Sequence, residues 1–213
     1  WQELQRQATT AQLYDVDVRI LDKNQITKEY PIINTDEVIG GILMPGDGAA
    51  DPSGVTHMLA KAARMEGAKI FENSPVEKIL TKNGKVVGVK VNGNEIECEY
   101  IVLASGMWSR QIGEKVGVSV PLYPADHFYI ITEPIENLSK TMPVIRDYDN
   151  RTYIKEDAGK ILVGIFEDNS IPAWDKTNIV PENFSFGEFQ ENFEHFEPYL
   201  SSAIKRFPVL APA

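Results

Sequence analysis

The sequence predicts an α+β protein. We expect an antiparallel or mixed β-sheet with helices on one side, joined to an incomplete α/β portion that carries a three-stranded β-meander. Two observations support this expectation. Residues 38–71 combine a glycine-rich turn, a helix start and an apolar run, which is typical of a helix–strand unit. Residues 76–99 and 121–166 instead show short alternating runs separated by turn residues, which is typical of antiparallel strands.

The composition sets broad limits on function. A chain of 213 residues can form one large domain or two small ones. Its formal net charge of −10 argues against a nucleic-acid partner and against an anionic membrane surface. No apolar run approaches the roughly 20 residues that span a bilayer. The single cysteine, Cys98, rules out an internal disulfide and a cysteine-based metal site, and no paired-histidine metal motif is present.

The first 37 residues predict two helices and a strand. Residues 1–13 suit a helix. Residues 14–21 alternate apolar with charged side chains, as a half-buried strand does. Asp22 can cap a short helix that runs through Glu29, and Pro31 would end it. The chain begins at Trp1, without a methionine, so we expect an internal part of a longer protein.

The stretch from residue 38 to 71 is the best-marked segment. After the glycine-rich turn, Asp51 can cap a helix and Pro52 suits its first turn. Gly67 fits the end of that helix, and Ala68 to Phe71 would form a strand. Taken alone, the stretch is more simply a structural helix–strand unit with an elaborate entry loop than a ligand site.

The next segment predicts the meander and a buried strand. Asn83-Gly84 and Asn92-Gly93 are hairpin turns that would join strands at 76–81, 86–91 and 95–99. Residues 100–104, almost wholly apolar, predict a strand buried on both faces. Ser105-Gly106 and a helix over 108–116 would follow.

The last third predicts a second antiparallel system. Residues 126–132 predict a strand with His127 and Tyr129 on one face. Residues 153–155 and 161–166 form a hairpin. The spacing of Phe189, Phe193, Phe196 and Leu200 predicts a helix with an aromatic stripe, kinked near Pro198.

Several motifs occur in an order that resembles a known family. The runs GGILMPGDGAADP, PVEKIL, IVLASGMWSRQIGEKVGV and PLYPADHFYIIT resemble the dimethylglycine and sarcosine dehydrogenases. Those enzymes are D-amino-acid-oxidase-like flavoproteins that use FAD. The resemblance implies three regions. Residues 1–40 and 119–213 would be the two parts of a substrate domain, and residues 41–118 would be part of an FAD-binding domain.

The resemblance also implies which residues contact the cofactor. They are the valine that begins the meander, the end of the apolar strand with the turn and tryptophan after it, and a glycine of the opening turn: Val76, Ala104, Ser105, Gly106, Trp108 and Gly46. From the residues alone, Val76 is more simply a core valine and Trp108 a packing residue.

The strand with the HxY pattern would lie on the substrate side of the flavin. The resemblance gives His127 and Tyr129 as catalytic candidates, although a structural role explains either residue equally well. A Tyr hydroxyl and an imidazole could hold an amine neutral and orient it. Arg146 and Arg151 are candidates for binding a substrate carboxylate, with simple surface solvation as the alternative.

The implied activity is oxidation of a small N-methylated amino acid by hydride transfer to FAD. The imine product would hydrolyse, or pass its one-carbon unit to folate in a separate domain. The GxGxxG fingerprint of the family is not in this chain, so we expect these residues alone not to retain FAD. A bacterial cytoplasmic or mitochondrial-matrix location would fit. The alternatives are another amino-acid-oxidase-like flavoenzyme and a non-catalytic regulatory or interaction subunit.

Overall fold

A computed structural model describes residues 1–177 and 179–212. The chain folds into two compact units: residues 1–50, 127–170 and 190–213 belong to the first, and residues 51–126 and 171–189 to the second. The helices are α1 (Gln2–Gln12), α2 (Lys23–Glu29), α3 (Pro52–Met65), α4 (Ser109–Glu114) and α5 (Phe193–Arg206). The strands are β1 (Arg19–Leu21), β2 (Gly41–Leu43), β3 (Val76–Lys82), β4 (Lys85–Val91), β5 (Asn94–Glu97), β6 (Tyr129–Ile131), β7 (Ile145–Asp147), β8 (Thr152–Asp157) and β9 (Lys160–Ile165).

The first unit is built on a four-stranded antiparallel sheet in the order β6-β9-β8-β7. The predicted hairpin is β8–β9. Its turn residues Ala158 and Gly159 both have positive φ, as a tight hairpin turn requires. A separate pair, β1–β2, is also antiparallel. The predicted α+β class with antiparallel sheets is therefore confirmed.

One face of the four-stranded sheet forms the core of the first unit. Ile154, Ile161 and Val163 are fully buried and cluster with Ala203 and Phe207 from the C-terminal part of the chain. Tyr30 packs edge-on against Phe207, with ring centroids 5.7 Å apart. The apolar face of the sheet is thus covered by α5 and the residues that follow it.

Two caps form as the sequence predicts. Asp22 accepts a hydrogen bond from the Gln25 backbone N–H, and the Gln25 side chain in turn accepts one from the Asp22 backbone N–H, which makes a capping box. Asp51 accepts from the backbone N–H groups of Ser53 and Gly54 at the start of α3. Such local signals determine helix starts without help from distant residues.

The second unit contains α3, α4 and the predicted meander, in which β3, β4 and β5 pair consecutively and antiparallel. Both Asn-Gly turns adopt positive φ at each residue. Gly67, after α3, has φ +91°, as expected of a glycine that ends a helix.

Two predicted strands are wrong. Residues 68–71 and 100–104 have no strand pairing. In the second segment Tyr100 and Val102 are 86% and 88% exposed, whereas the sequence predicted burial on both faces. A strand needs a neighbouring strand for its backbone hydrogen bonds. The described residues supply none for either segment, so their apolar side chains remain on the surface.

Two smaller predictions are only partly right. Of the strand predicted over 14–21, only β1 pairs, because β2 offers just three partners. In the predicted aromatic stripe, Phe196 is buried, but Phe193 is 63% exposed and Phe189 precedes the helix. Pro198 lies inside α5.

In the described part of the chain, no helix is both long and apolar enough to cross a membrane. Within residues 1–177 and 179–212, no cluster of three or more His, Cys, Asp or Glu side chains could hold a metal ion.

Candidate active site

A row of four residues crosses the sheet of the first unit. Tyr129 on β6 pairs with Gly164 on β9, Gly164 pairs with Tyr153 on β8, and Tyr153 pairs with Arg146 on β7. Directly paired residues lie on the same side of an antiparallel sheet. Because their chain neighbours form the buried core, this row lies on the opposite side, which we call the site face.

His127 meets Tyr153 on the site face. Its Nε2 lies 3.1 Å from the Tyr153 hydroxyl, within hydrogen-bond distance. The two rings are parallel within 1°, with centroids 5.9 Å apart. Phe166, just after β9, contacts both rings, at 5.8 Å from His127 and 5.2 Å from Tyr153. These contacts fix the imidazole and the phenol relative to each other.

Burial raises the pKa of the Tyr153 phenol, and the nearby Tyr129 and Glu167 raise it further. A free tyrosine titrates near pH 10, so Tyr153 keeps its proton around neutral pH. A protonated phenol can donate to an unprotonated Nε2 or accept from a protonated one. In the first arrangement the shared proton lies on the Tyr153 oxygen, and in the second it lies on His127 Nε2.

Tyr129 shares the site face with His127. It lies in the same row as Tyr153, across Gly164, and its side chain is about half exposed. Among the described residues, no hydrogen bond links it to His127. The structure thus brings His127 together with Tyr153 rather than with Tyr129.

The two candidate arginines differ in their surroundings. The Arg151 side chain forms a salt bridge with Asp168, 2.7 Å from Nε to Oδ2. The Arg146 guanidinium lies over the Phe166 ring, 4.2 Å from its centroid, and near Tyr148 at 5.3 Å. In the described part of the chain Arg146 has no carboxylate partner, so its charge is available to a ligand.

Both arginines border one small cavity. It has a volume of about 230 Å³. It is lined by Arg146, Asp147, Tyr148, Arg151, Thr152 and Phe166. Its lining holds both charges: the Asp147 carboxylate is paired with Arg206, whereas the Arg146 guanidinium has no carboxylate partner among the described residues.

The predicted cofactor residues of the second unit lie in open surroundings. Val76 is 54% exposed, and Ala104 is exposed. Ser105 is half-buried. Gly106 has φ +52°, and apart from its chain neighbours no described residue places an atom within 4 Å of where a Cβ would lie. The Trp108 indole N–H donates to the Pro181 carbonyl at 2.9 Å, so that donor is already used.

Gly46 lies in the first unit, in the turn that follows β2. Apart from its chain neighbours, no described residue places an atom within 4 Å of the position of a Cβ there. Glycine is therefore not required at this position by the packing of the described residues.

Sequence reasoning missed Tyr153, Phe166 and Gly164. One signal was available, because Gly164 interrupts an otherwise apolar strand, and such a glycine often marks a close approach by another group. The partner that approaches could not be named, since it depends on the register between β8 and β9.

The comparisons with known proteins identify the family. Residues 1–213 match the family model described as "FAD dependent oxidoreductase" (DAO). The chain belongs to this family of FAD-dependent oxidoreductases.

Among curated relatives, the chain is 36% identical over 193 residues to 4-methylaminobutanoate oxidase (formaldehyde-forming) of Paenarthrobacter nicotinovorans, covering 91% of this chain and 23% of that protein. It is 33% identical over 213 residues to human mitochondrial sarcosine dehydrogenase, covering 98% and 23%. It is 32% identical to the mouse mitochondrial pyruvate dehydrogenase phosphatase regulatory subunit, covering 90% and 22%. The chain thus spans about a quarter of the length of these relatives.

A solved structure supports the fold. L-proline dehydrogenase from P. horikoshii superposes with a TM-score of 0.79 at 24% identity, covering 98% of this chain and 53% of that one. This likeness shows that the two chains share a fold.

Proposed function

We propose that this chain forms the substrate-facing part of an FAD-dependent oxidoreductase that oxidises a small N-methylated amino acid of the sarcosine or dimethylglycine type. The observation that carries the proposal is the site face. It places a phenol–imidazole pair, and a guanidinium that no described carboxylate neutralises, on one side of a sheet whose other side is core. Relatives named as a methylaminobutanoate oxidase and a sarcosine dehydrogenase support the substrate class.

The His127–Tyr153 pair would handle the amine. An ammonium group cannot donate a hydride from its adjacent carbon until it loses a proton. The imidazole can accept that proton, while the Tyr153 hydroxyl holds the ring in place. Tyr129, at the exposed end of the row, would contact the substrate from the side opposite Arg146.

Arg146 would bind the substrate carboxylate. Its guanidinium is held by the Phe166 and Tyr148 rings, and an oriented guanidinium loses less entropy when it forms two hydrogen bonds to a carboxylate. Arg151 would contribute less, since Asp168 already neutralises it.

The residues of the second unit fit FAD as one wall of its site. Val76, Ala104, Ser105 and Gly106 present apolar or small groups, and at Gly106 the backbone itself is open. None of these side chains carries a charge, so they suit the adenine and ring parts of FAD better than its pyrophosphate. FAD held there would supply the acceptor for a hydride equivalent from the carbon next to nitrogen. The substrate imine that results would hydrolyse or transfer its one-carbon unit to folate.

Two experiments test this proposal. The full-length flavoprotein is mixed without oxygen with sarcosine, dimethylglycine, 4-methylaminobutanoate, and proline as a non-methylated control, and flavin bleaching is followed. We expect at least one N-methylated compound to reduce the flavin with a higher second-order rate constant than proline does. Failure of every methylated substrate would reject the proposed substrate class. Separately, we expect residues 1–213 alone to purify without stoichiometric flavin, and a flavin-loaded fragment would contradict that expectation.

A non-catalytic role is the second candidate, favoured by the similarity to a phosphatase regulatory subunit. The double replacement of His127 and Tyr153 by Ala and Phe distinguishes the two. An oxidoreductase loses flavin reduction, whereas a regulatory subunit keeps its cellular phenotype with the fold intact.

A further inference from the structure

The geometry points to Gly164 as a positioning residue. We infer that the absence of a side chain at this position lets the Tyr153 ring lie across β9 and reach His127. The inference rests on the proposed function in one respect, that the Tyr153–His127 pair faces the substrate.

The space that a side chain would fill is occupied by Tyr153. The three heavy atoms nearest to a Cβ built on Gly164 all belong to the Tyr153 side chain, and each lies too close to be tolerated: Cζ, Cε1 and the hydroxyl oxygen. Gly164 and Tyr153 are directly paired across β9 and β8, so the phenol folds over the neighbouring strand rather than standing upright. The hydroxyl end lies over the glycine.

Backbone conformation does not explain the glycine. Gly164 has no positive φ, so any residue could adopt its backbone angles. Gly88 on β4 is a useful contrast. A Cβ there collides with the backbone of Ile96, which no change of side chain could relieve. At Gly164 the three nearest atoms belong to one side chain, which can move.

The position of the Tyr153 hydroxyl depends on the absence of a side chain at Gly164. The Tyr153 oxygen lies 3.1 Å from His127 Nε2, and Phe166 closes the other side of the ring at 5.2 Å. A methyl group at Gly164 would lift the hydroxyl end away from the sheet first. Because Phe166 blocks sideways movement, the hydrogen bond to His127 would break.

A cycle of variants in the full-length flavoprotein tests the inference. The variants are Gly164→Ala, Tyr153→Ala and the double variant. We expect Gly164→Ala to lower the melting temperature in the wild-type background and to have almost no further effect when Tyr153 is already Ala, because the added methyl then has space. An additive effect in the double variant would overturn the inference. If Gly164→Ala does not fold, the double variant should still have the melting temperature of Tyr153→Ala. A double variant that does not fold would also overturn the inference.

A second measurement reports on positioning independently of turnover. The NMR shifts of the His127 ring nitrogens in Gly164→Ala should move to the values seen in Tyr153→Phe, since both variants lose the same hydrogen bond. Wild-type shifts in a folded Gly164→Ala protein would refute the role. In kinetics, Gly164→Ala should lower kcat/KM about tenfold, as expected for the loss of one hydrogen bond. If the melting and NMR results hold but Tyr153→Phe leaves flavin reduction unchanged, the positioning role stands and the proposed catalytic role of the pair fails.

Discussion

Replacing Arg146 by Met should weaken binding of a substrate carboxylate selectively. Met keeps most of the side-chain length and its contact with Phe166 but removes the charge. The guanidinium lies 4.2 Å from the Phe166 centroid and has no carboxylate partner in the described part of the chain. A ligand carboxylate would therefore be its main charged contact.

The expected loss follows from the energy of a charge-assisted hydrogen bond. Such bonds contribute about 1.5–3 kcal/mol. At about 1.4 kcal/mol per factor of ten, kcat/KM should fall roughly 10- to 150-fold for an N-methyl amino acid. For an N-methylamine of similar size without a carboxylate, the change should be less than about threefold, since no ionic contact is lost.

Steady-state kinetics on the full-length enzyme gives kcat/KM for the amino acid and for the amine. The ratio of these two values measures selectivity for the carboxylate. Arg151→Met is the matched control, because it removes a neighbouring guanidinium that is already paired with Asp168. We expect that control to change the ratio only slightly. An equal loss for both substrates in Arg146→Met, or a larger selective loss in Arg151→Met, would refute the assignment of the carboxylate to Arg146.

Three further predictions concern stability. Tyr30→Phe should raise the free energy of unfolding by about 1 kcal/mol, because the Tyr30 hydroxyl is buried with no hydrogen-bond partner among the described residues, and urea unfolding measures this. Burial also raises the pKa of Tyr30 well above its usual value, so the unfolded chain loses this proton first. The contribution of the neutral Tyr30 phenol to the free energy of unfolding should be constant below about pH 10 and should fall as the pH rises above it. The free energy of unfolding of Tyr30→Phe should fall less over the same pH range. Asp51→Ala should lower the stability of α3 by about 1 kcal/mol, because two hydrogen bonds from backbone N–H groups to the Asp51 side chain are lost. Faster amide exchange in the first turn of α3 would detect this loss. Asp47→Ala, in the preceding turn, should leave that exchange unchanged.

The features that the sequence predicts well are local. The caps at Asp22 and Asp51 and the hairpin turns depend on residues within about four positions of one another, and all of them form. The segments at 68–71 and 100–104 fail for the opposite reason. Apolar composition predicts that a segment can be a strand, but pairing requires a partner that may lie far away in the sequence.

In the candidate site, too, some features can be predicted from the sequence and others depend on residues far apart in it. His127, Tyr129 and Arg146 could be selected by residue type and by resemblance, and all three lie on the site face or beside it. The contact between His127 and Tyr153 could not be predicted, because it depends on which residue of β8 faces Gly164. A shift of one residue in that register would turn Tyr153 toward the core.

The way in which the first unit closes has a consequence for its synthesis. Asn34 and Arg206, 172 positions apart, exchange backbone and side-chain hydrogen bonds beside the core that Tyr30 and Phe207 share. A ribosome adds roughly 5–20 residues per second, so the early strands and helices must wait about ten seconds or longer for α5. During that interval their apolar surfaces are open to chaperones or to other nascent chains. Contacts so distant in sequence also slow the final closure, so the folding yield of the first unit should depend more on the arrival of α5 than on any of the earlier elements.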